Sequence, residues 1–126
     1  MRPPLQAEWH DASVAAVVRQ QSALVVELAI WVHDGTTRRC RRHPARLRLE
    51  AATVEGPLVA GYEILSGRVA ATEGRWDGMI PIPFAIRAAT LRWNEGCGGP
   101  LAPVTLAAGA ATLEITGPAT LEETMP

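Results

Sequence analysis

Between Val14 and Val32 the apolar side chains fall on alternate positions. Val14, Ala16 and Val18, then Leu24, Val26, Leu28, Ile30 and Val32, are all even-numbered. A period of two lays one side of an extended chain against a core and turns the other to solvent, the pattern of a half-buried strand. A helix capped by Asp11 competes for the same residues, since Ala favours helix. The window from Ala12 to Val32 nevertheless holds six Val and one Ile, and β-branched side chains favour the pleated backbone. Gln20-Gln21-Ser22 falls where a hairpin between strands 12–19 and 23–32 needs its turn. With those three residues as the loop, Val18 faces Leu24 and Val14 faces Leu28. Further out, His10 faces Val32 and Trp9 faces His33.

The remaining chain reads as short strands separated by turn residues. Residues 34–44 read as a polar, basic loop, and 45–54 as a strand in which Leu47 and Leu49 alternate with Arg46, Arg48 and Glu50. Glu55-Gly56-Pro57 is a turn signal. Leu58–Leu65 fits a short helix or a strand, and Arg68–Thr72 a short strand. Glu73–Gly78 reads as a loop, and Pro81 and Pro83 exclude a central strand because proline donates nothing to a ladder. Phe84, Ile86 and Ala88 are even where Leu91 and Trp93 are odd, so a bulge is expected near Ala89. Gly109-Ala110 suits a type II′ hairpin turn that sets Leu106 opposite Leu113 and Val104 opposite Ile115. The predicted fold is all-β: one domain over 1–126, a mostly antiparallel sandwich or partly open barrel of seven to nine strands with at most one short helix. Residues 1–8 and the acidic tail 120–126 are expected to fray.

With 126 residues, the chain can bury a sufficient core without a metal or disulfide. Twelve basic and 13 acidic residues leave a formal net charge of −1, which removes the case for a general polyanion binder. All the cations are Arg, and Ala is frequent, a composition of GC-rich bacterial genomes. Met1–Gln6 contains no apolar signal core, so a cytoplasmic address follows, with Cys40 and Cys97 reduced thiols; whether they pair is left open. Arg19, Gln20, Gln21, Ser22 and Glu27 interrupt the most apolar window, so no membrane span is expected.

Four features invite chemistry. The repeated dipeptides His10-Asp11 and His33-Asp34 offer four potential metal ligands, although the hairpin register puts the two histidines on opposite faces. The leading alternative is that Trp9 packs across His33. Arg38, Arg39, Arg41, Arg42, Arg46 and Arg48, with His43 among them, place half of the cations in eleven residues. Forked guanidiniums clamp phosphates and carboxylates, but this run lacks the interleaved aromatics that stack on bases. It reads first as a solvated segment or an intramolecular partner for the acidic tail. Glu95-Gly96-Cys97-Gly98-Gly99-Pro100 has backbone freedom but no Walker lysine, and a nucleophilic Cys97 would need a neighbouring cation. Trp76, between Arg75 and Asp77, is either a binding anchor or folded onto the core edge. Val17, Val25 and Trp31 form an odd-numbered apolar face that a second sheet or a second subunit would cover.

Trp9-His10-Asp11-Ala12, with Val14 and the hairpin to Val32, resembles small uncharacterised bacterial all-β proteins that open on an aromatic-His-Asp stretch. The likeness covers the first 35 residues and, loosely, Leu47-Arg48-Leu49-Glu50. Some similar domains are immunity-type proteins beside toxins; no activity or catalytic residue comes with the resemblance. The sequence therefore predicts a non-catalytic macromolecular interaction domain, immunity-like or accessory, with a protein partner, possible homodimerisation and no cofactor. The alternatives are an anionic-ligand or nucleic-acid binder through Arg38–Arg48, and a small metalloenzyme using His10 and His33.

Overall fold

The computed structural model describes residues 5–96 and 102–124. Its strands are β1 (Leu5–Gln20), β2 (Ala23–Asp34), β3 (Arg39–Glu50), β4 (Thr53–Glu55), β5 (Glu63–Ile64), β6 (Gly67–Ala71), β7 (Gly74–Asp77), β8 (Met79–Ile82), β9 (Phe84–Trp93), β10 (Val104–Ile115) and β11 (Leu121–Thr124). They form one antiparallel sheet in the order β5-β1-β2-β3-β10-β9-β6-β7, with β8 also on β1, β4 on β10 and β11 on β3. The sheet curls into a half-barrel, a partly open barrel, and the apolar residues gather on its inner side. Among the described residues, no helix is long and apolar enough to cross a membrane.

The first hairpin forms as strands, with Leu24, Val26, Leu28, Ile30 and Val32 all buried. Its turn is shorter than expected: Gln20 pairs Ala23, with Gln21 left-handed at φ 56°, so Val18 meets Val25 rather than Leu24. The same turn brings Val17 opposite the buried Val26, and a register shift between Val14 and Ala16 restores the pairing of Val14 with Leu28. Val18 is left outside, 45% exposed. A second shift between Glu8 and Ser13, where Asp11 has φ 64°, sets Glu8 opposite Trp31 and Gln6 opposite His33. The expected pairs His10–Val32 and Trp9–His33 do not form. Trp9 instead enters the core, because each bulge exchanges the faces of the residues beyond it.

Several segments expected to be irregular are strands. Arg39–Pro44 belongs to β3, since all of it pairs with β2. Glu73–Gly78 contains β7, which pairs with β6. Leu5–Glu8 pairs with β8, and Leu121–Thr124 with Arg42–Arg39. Pro81 lies in β8, which among the described residues pairs only with β1.

The Gly109-Ala110 hairpin does not occur. β10 runs straight through both residues, and β9 pairs with it from Val104↔Trp93 to Leu113↔Phe84. Leu106 pairs with Leu91 and Leu113 with Phe84, rather than with each other. Burial changes phase between Ala108 and Ala111, and in step between Ala89 and Ile86, where Ala88 takes φ 50°. The bulge expected near Ala89 is thus a matched bend in two strands, with no change of register.

The seam of the half-barrel is held by a polar side chain. Asn94 is fully buried: its Oδ1 accepts the Leu65 and Ser66 amides at 2.7 and 3.2 Å, and its Nδ2 donates to the Tyr62 hydroxyl and the Glu63 carbonyl at 3.0 and 2.8 Å. Beside it, Trp9 and Trp93 meet with ring centroids 5.4 Å apart, and Gly67 pairs with Trp93.

Candidate functional site

The arginine-rich strand β3 is built by alternation. Leu47 and Leu49 turn inward, and Arg46 and Arg48 turn out. Its guanidiniums find carboxylates of the same chain. Glu122 takes both Arg39 and Arg41, at 3.1 and 3.0 Å; Glu27 takes Arg46 at 2.8 Å and Glu50 takes Arg48 at 2.6 Å. Arg42 donates to the Ser13 hydroxyl at 2.8 Å. Arg38 sits in the turn before β3 with a left-handed backbone, φ 57°. Exposed pairs of this kind add little stability, because solvent screens them. They do fix where the side chains point, and an incoming anion would have to displace a carboxylate already in place.

Register assembles a second feature that crosses five strands. Met79 pairs with Glu8, Glu8 with Trp31, Trp31 with Arg42, and Arg42 with Leu121. Directly paired residues share a face of the sheet, so these five side chains form one stripe on the outer surface. The first four are half-buried, and Leu121 is 57% exposed. In the adjoining row, His33 Nε2 lies 2.7 Å from Glu8 Oε2 and 3.6 Å from Cys40 Sγ. Both contacts converge on the same ring nitrogen. The chemistry shown is a His33–Glu8 hydrogen bond beside a buried thiol.

The proposed metal ligands are dispersed. The bulge at Asp11 turns His10 outward, where its Nδ1–H donates to the Leu65 carbonyl at 2.9 Å and its Nε2 lies 3.4 Å from Asp11. Asp34 accepts the Thr36 and Thr37 amides at 2.9 and 3.4 Å, as a turn cap does. Among the described residues, no three His, Cys, Asp or Glu side chains are grouped so as to hold a metal ion. The Leu65 hydrogen bond raises the His10 pKa above 6.5, opposed by partial burial and helped by Asp11 and Glu8. Its stabilisation is therefore complete below pH 6.5 and is lost as pH rises through the higher folded value. The expected NMR titration midpoint of His10 lies above 6.5; a midpoint at or below 6.5 would show that this hydrogen bond does not persist in solution.

Trp76 is half-buried and packs edge-on against Phe84, with centroids 6.1 Å apart. It thus folds onto the core edge while lining a shallow cleft of about 360 Å³ with Arg68, Val69, Ala70, Arg75, Asp77, Thr90 and Arg92. Of the three arginines of this cleft, the sequence marks only Arg75, as the neighbour of Trp76, and it marks neither Arg68 nor Arg92, nor the stripe residues Glu8 and Leu121. Their signal is pairing across strands far apart in the chain. Cys97 and the rest of the Gly-rich loop through Pro100 lie outside the described residues, and with them the question of a Cys40–Cys97 pair. Compared with known protein families, with curated proteins and with solved structures, the chain matches none.

Proposed function

We propose that the chain is a non-catalytic interaction domain, accessory or immunity-like, that binds another protein through the outer face of β1, β2, β3, β8 and β11. The observation that carries this is the stripe Met79–Glu8–Trp31–Arg42–Leu121. Trp and Arg are the side chains that most often dominate binding energy, and an exposed Leu beside them supplies apolar area to bury. The arrangement suits a partner that lays apolar side chains over Trp31 and Leu121 and a carboxylate against Arg42. A cytosolic setting with Cys40 reduced belongs to this reading.

The test uses the full chain as bait in extract from its source, beside Leu121→Ser and Trp31→Ala. Leu121→Ser should leave the melting temperature nearly unchanged, since exposed substitutions cost under about 0.5 kcal/mol. Trp31→Ala should weaken the captured complex by about 30-fold, the effect of removing a central anchor. Equal capture of the same protein by all three would overturn the reading. Capture of a second copy of the chain, with a mass that rises with concentration, would replace it with homodimerisation.

A further inference from the structure

The outer surface of β6, β7 and β9 carries a cluster of charge that the interaction stripe does not use. Arg68 pairs directly with Arg92, and on its other side with Asp77. Like charges opposite one another on a sheet repel. Here the Glu95 carboxylate bridges the two, ion-paired to Arg68 and 3.7 Å from the Arg92 Nε. One row along, Arg75 pairs with Ala70, and Ala70 with Thr90. Ala70 and Thr90 are small, so they form a floor between the long side chains of Arg68, Arg92 and Arg75. Among the described residues, Arg75 has no ion-pair partner.

We infer that this cleft, separate from the proposed protein-binding face, is a binding site for a small oxyanion, best matched by the phosphate group of a phosphomonoester. Three guanidiniums against the single carboxylate of Asp77 leave the lining positive even after Glu95 is included. Forked donors from three directions match the three terminal oxygens of a phosphate, and the Thr90 hydroxyl supplies a further donor at the floor. The cleft volume of about 360 Å³ is at the small end of ligand sites. Glu95 already shows that Arg68 and Arg92 accept an oxyanion together. It is an internal competitor that a bound phosphate would displace from one or both.

The probes are inorganic phosphate and acetate, titrated separately at constant ionic strength into the full chain and followed by ¹H–¹⁵N NMR. Phosphate should give saturable shifts at the Arg75 Nε–H and at the Ala70 and Thr90 amides, with millimolar affinity. Acetate should bind more weakly; equal binding would keep the oxyanion site and assign it to carboxylates. Arg75→Ala breaks no described ion pair and should weaken phosphate binding about 10-fold, the loss of one charge-assisted contact. Glu95→Gln should tighten it, by releasing Arg68 and Arg92, an effect that a purely structural Glu95 would not produce. Arg19→Ala, remote from the cleft, should leave it unchanged. Absence of saturable shifts up to about 50 mM phosphate, a weak affinity even for a single ion site, would overturn the inference. So would shifts that survive Arg75→Ala undiminished.

Discussion

Asn94→Asp is expected to lower the melting temperature at neutral pH by about 10–20 °C, the equivalent of about 3–5 kcal/mol for a chain of this size. The Asn94 side chain is fully buried and uses its whole hydrogen-bonding capacity, with two amides onto its oxygen and the Tyr62 hydroxyl and Glu63 carbonyl from its nitrogen. Aspartate is nearly the same shape but has no donor when ionised. It would leave Glu63 O facing a carboxylate and place an unpaired charge where water cannot reach it. The Tyr62 hydroxyl, which donates to Ala102 O at 2.6 Å, would lose the donor on its other side. Burial would raise the new carboxyl's folded pKa, so the deficit should shrink on acidification, as protonation restores a donor. Thermal melts of the two proteins from pH 4 to 8 measure both effects. A variant that melts within about 2 °C of the parent at pH 7, less than one ordinary hydrogen bond is worth, would show the network to be dispensable.

Gly67→Ala should cost about 3 kcal/mol, at the upper end of what overpacking a core position does. A Cβ at Gly67 would stand 2.5 Å from Trp9 Cγ, 2.6 Å from Cδ1 and 2.8 Å from Trp9 Cβ. The last contact is decisive, because a side chain can swing its ring away but cannot move its own root. Both backbones are also held: Trp9 N donates to Gly78 O at 3.0 Å, and Gly78 N donates to Gly67 O at 2.9 Å. Gly109→Ala is the matched control. The nearest atom to a Cβ there is 3.8 Å away and the backbone needs no left-handed conformation, so the substitution should be neutral or slightly stabilising through the unfolded chain. Urea melts in which the two variants share a midpoint would refute the packing argument.

Much of the fold was legible because it is local. The even-numbered apolar residues of β2 are buried as alternation requires, although Ala23 and Val25 near its turn are buried as well, and Leu47 and Leu49 follow from their alternation with arginine. The candidate sites were less legible. The six arginines from Arg38 to Arg48, four in an expected loop and two on an expected strand, read first as a solvated segment or a partner for the acidic tail, and only second as an anion site. The partner proved to be Glu122, which reaches Arg41 across 81 residues of sequence. Trp31 falls on the outward, odd-numbered face by alternation alone, but the stripe that contains it depends on two bulges in β1, at Asp11 and Ala15, that local patterning does not specify. Asn94 carries no signal of its own, because one Asn after a strand looks like a turn residue, and its worth lies in four partners drawn from Tyr62 to Ser66.

The stretch around Gly109 marks the boundary between what the sequence by itself determined and what only the tertiary structure decided. Alternation specifies an extended backbone and which side chains share a face, since successive Cβ atoms point to opposite sides whatever lies across the strand. It therefore determined the all-β class and the apolar faces of Val104–Ala108 and Ala111–Ile115. A reversal of phase at Gly109-Ala110 fits equally a chain that turns back and one that bends and continues. The choice rests on long-range pairing: β9 offers partners from Val104 to Leu113, changing phase at the same level, and so satisfies the backbone of β10 in one unbroken run. The cleft arginines and the outer stripe were decided in the same way. Which charges and rings become neighbours depends on strand order and register, which no segment sets alone.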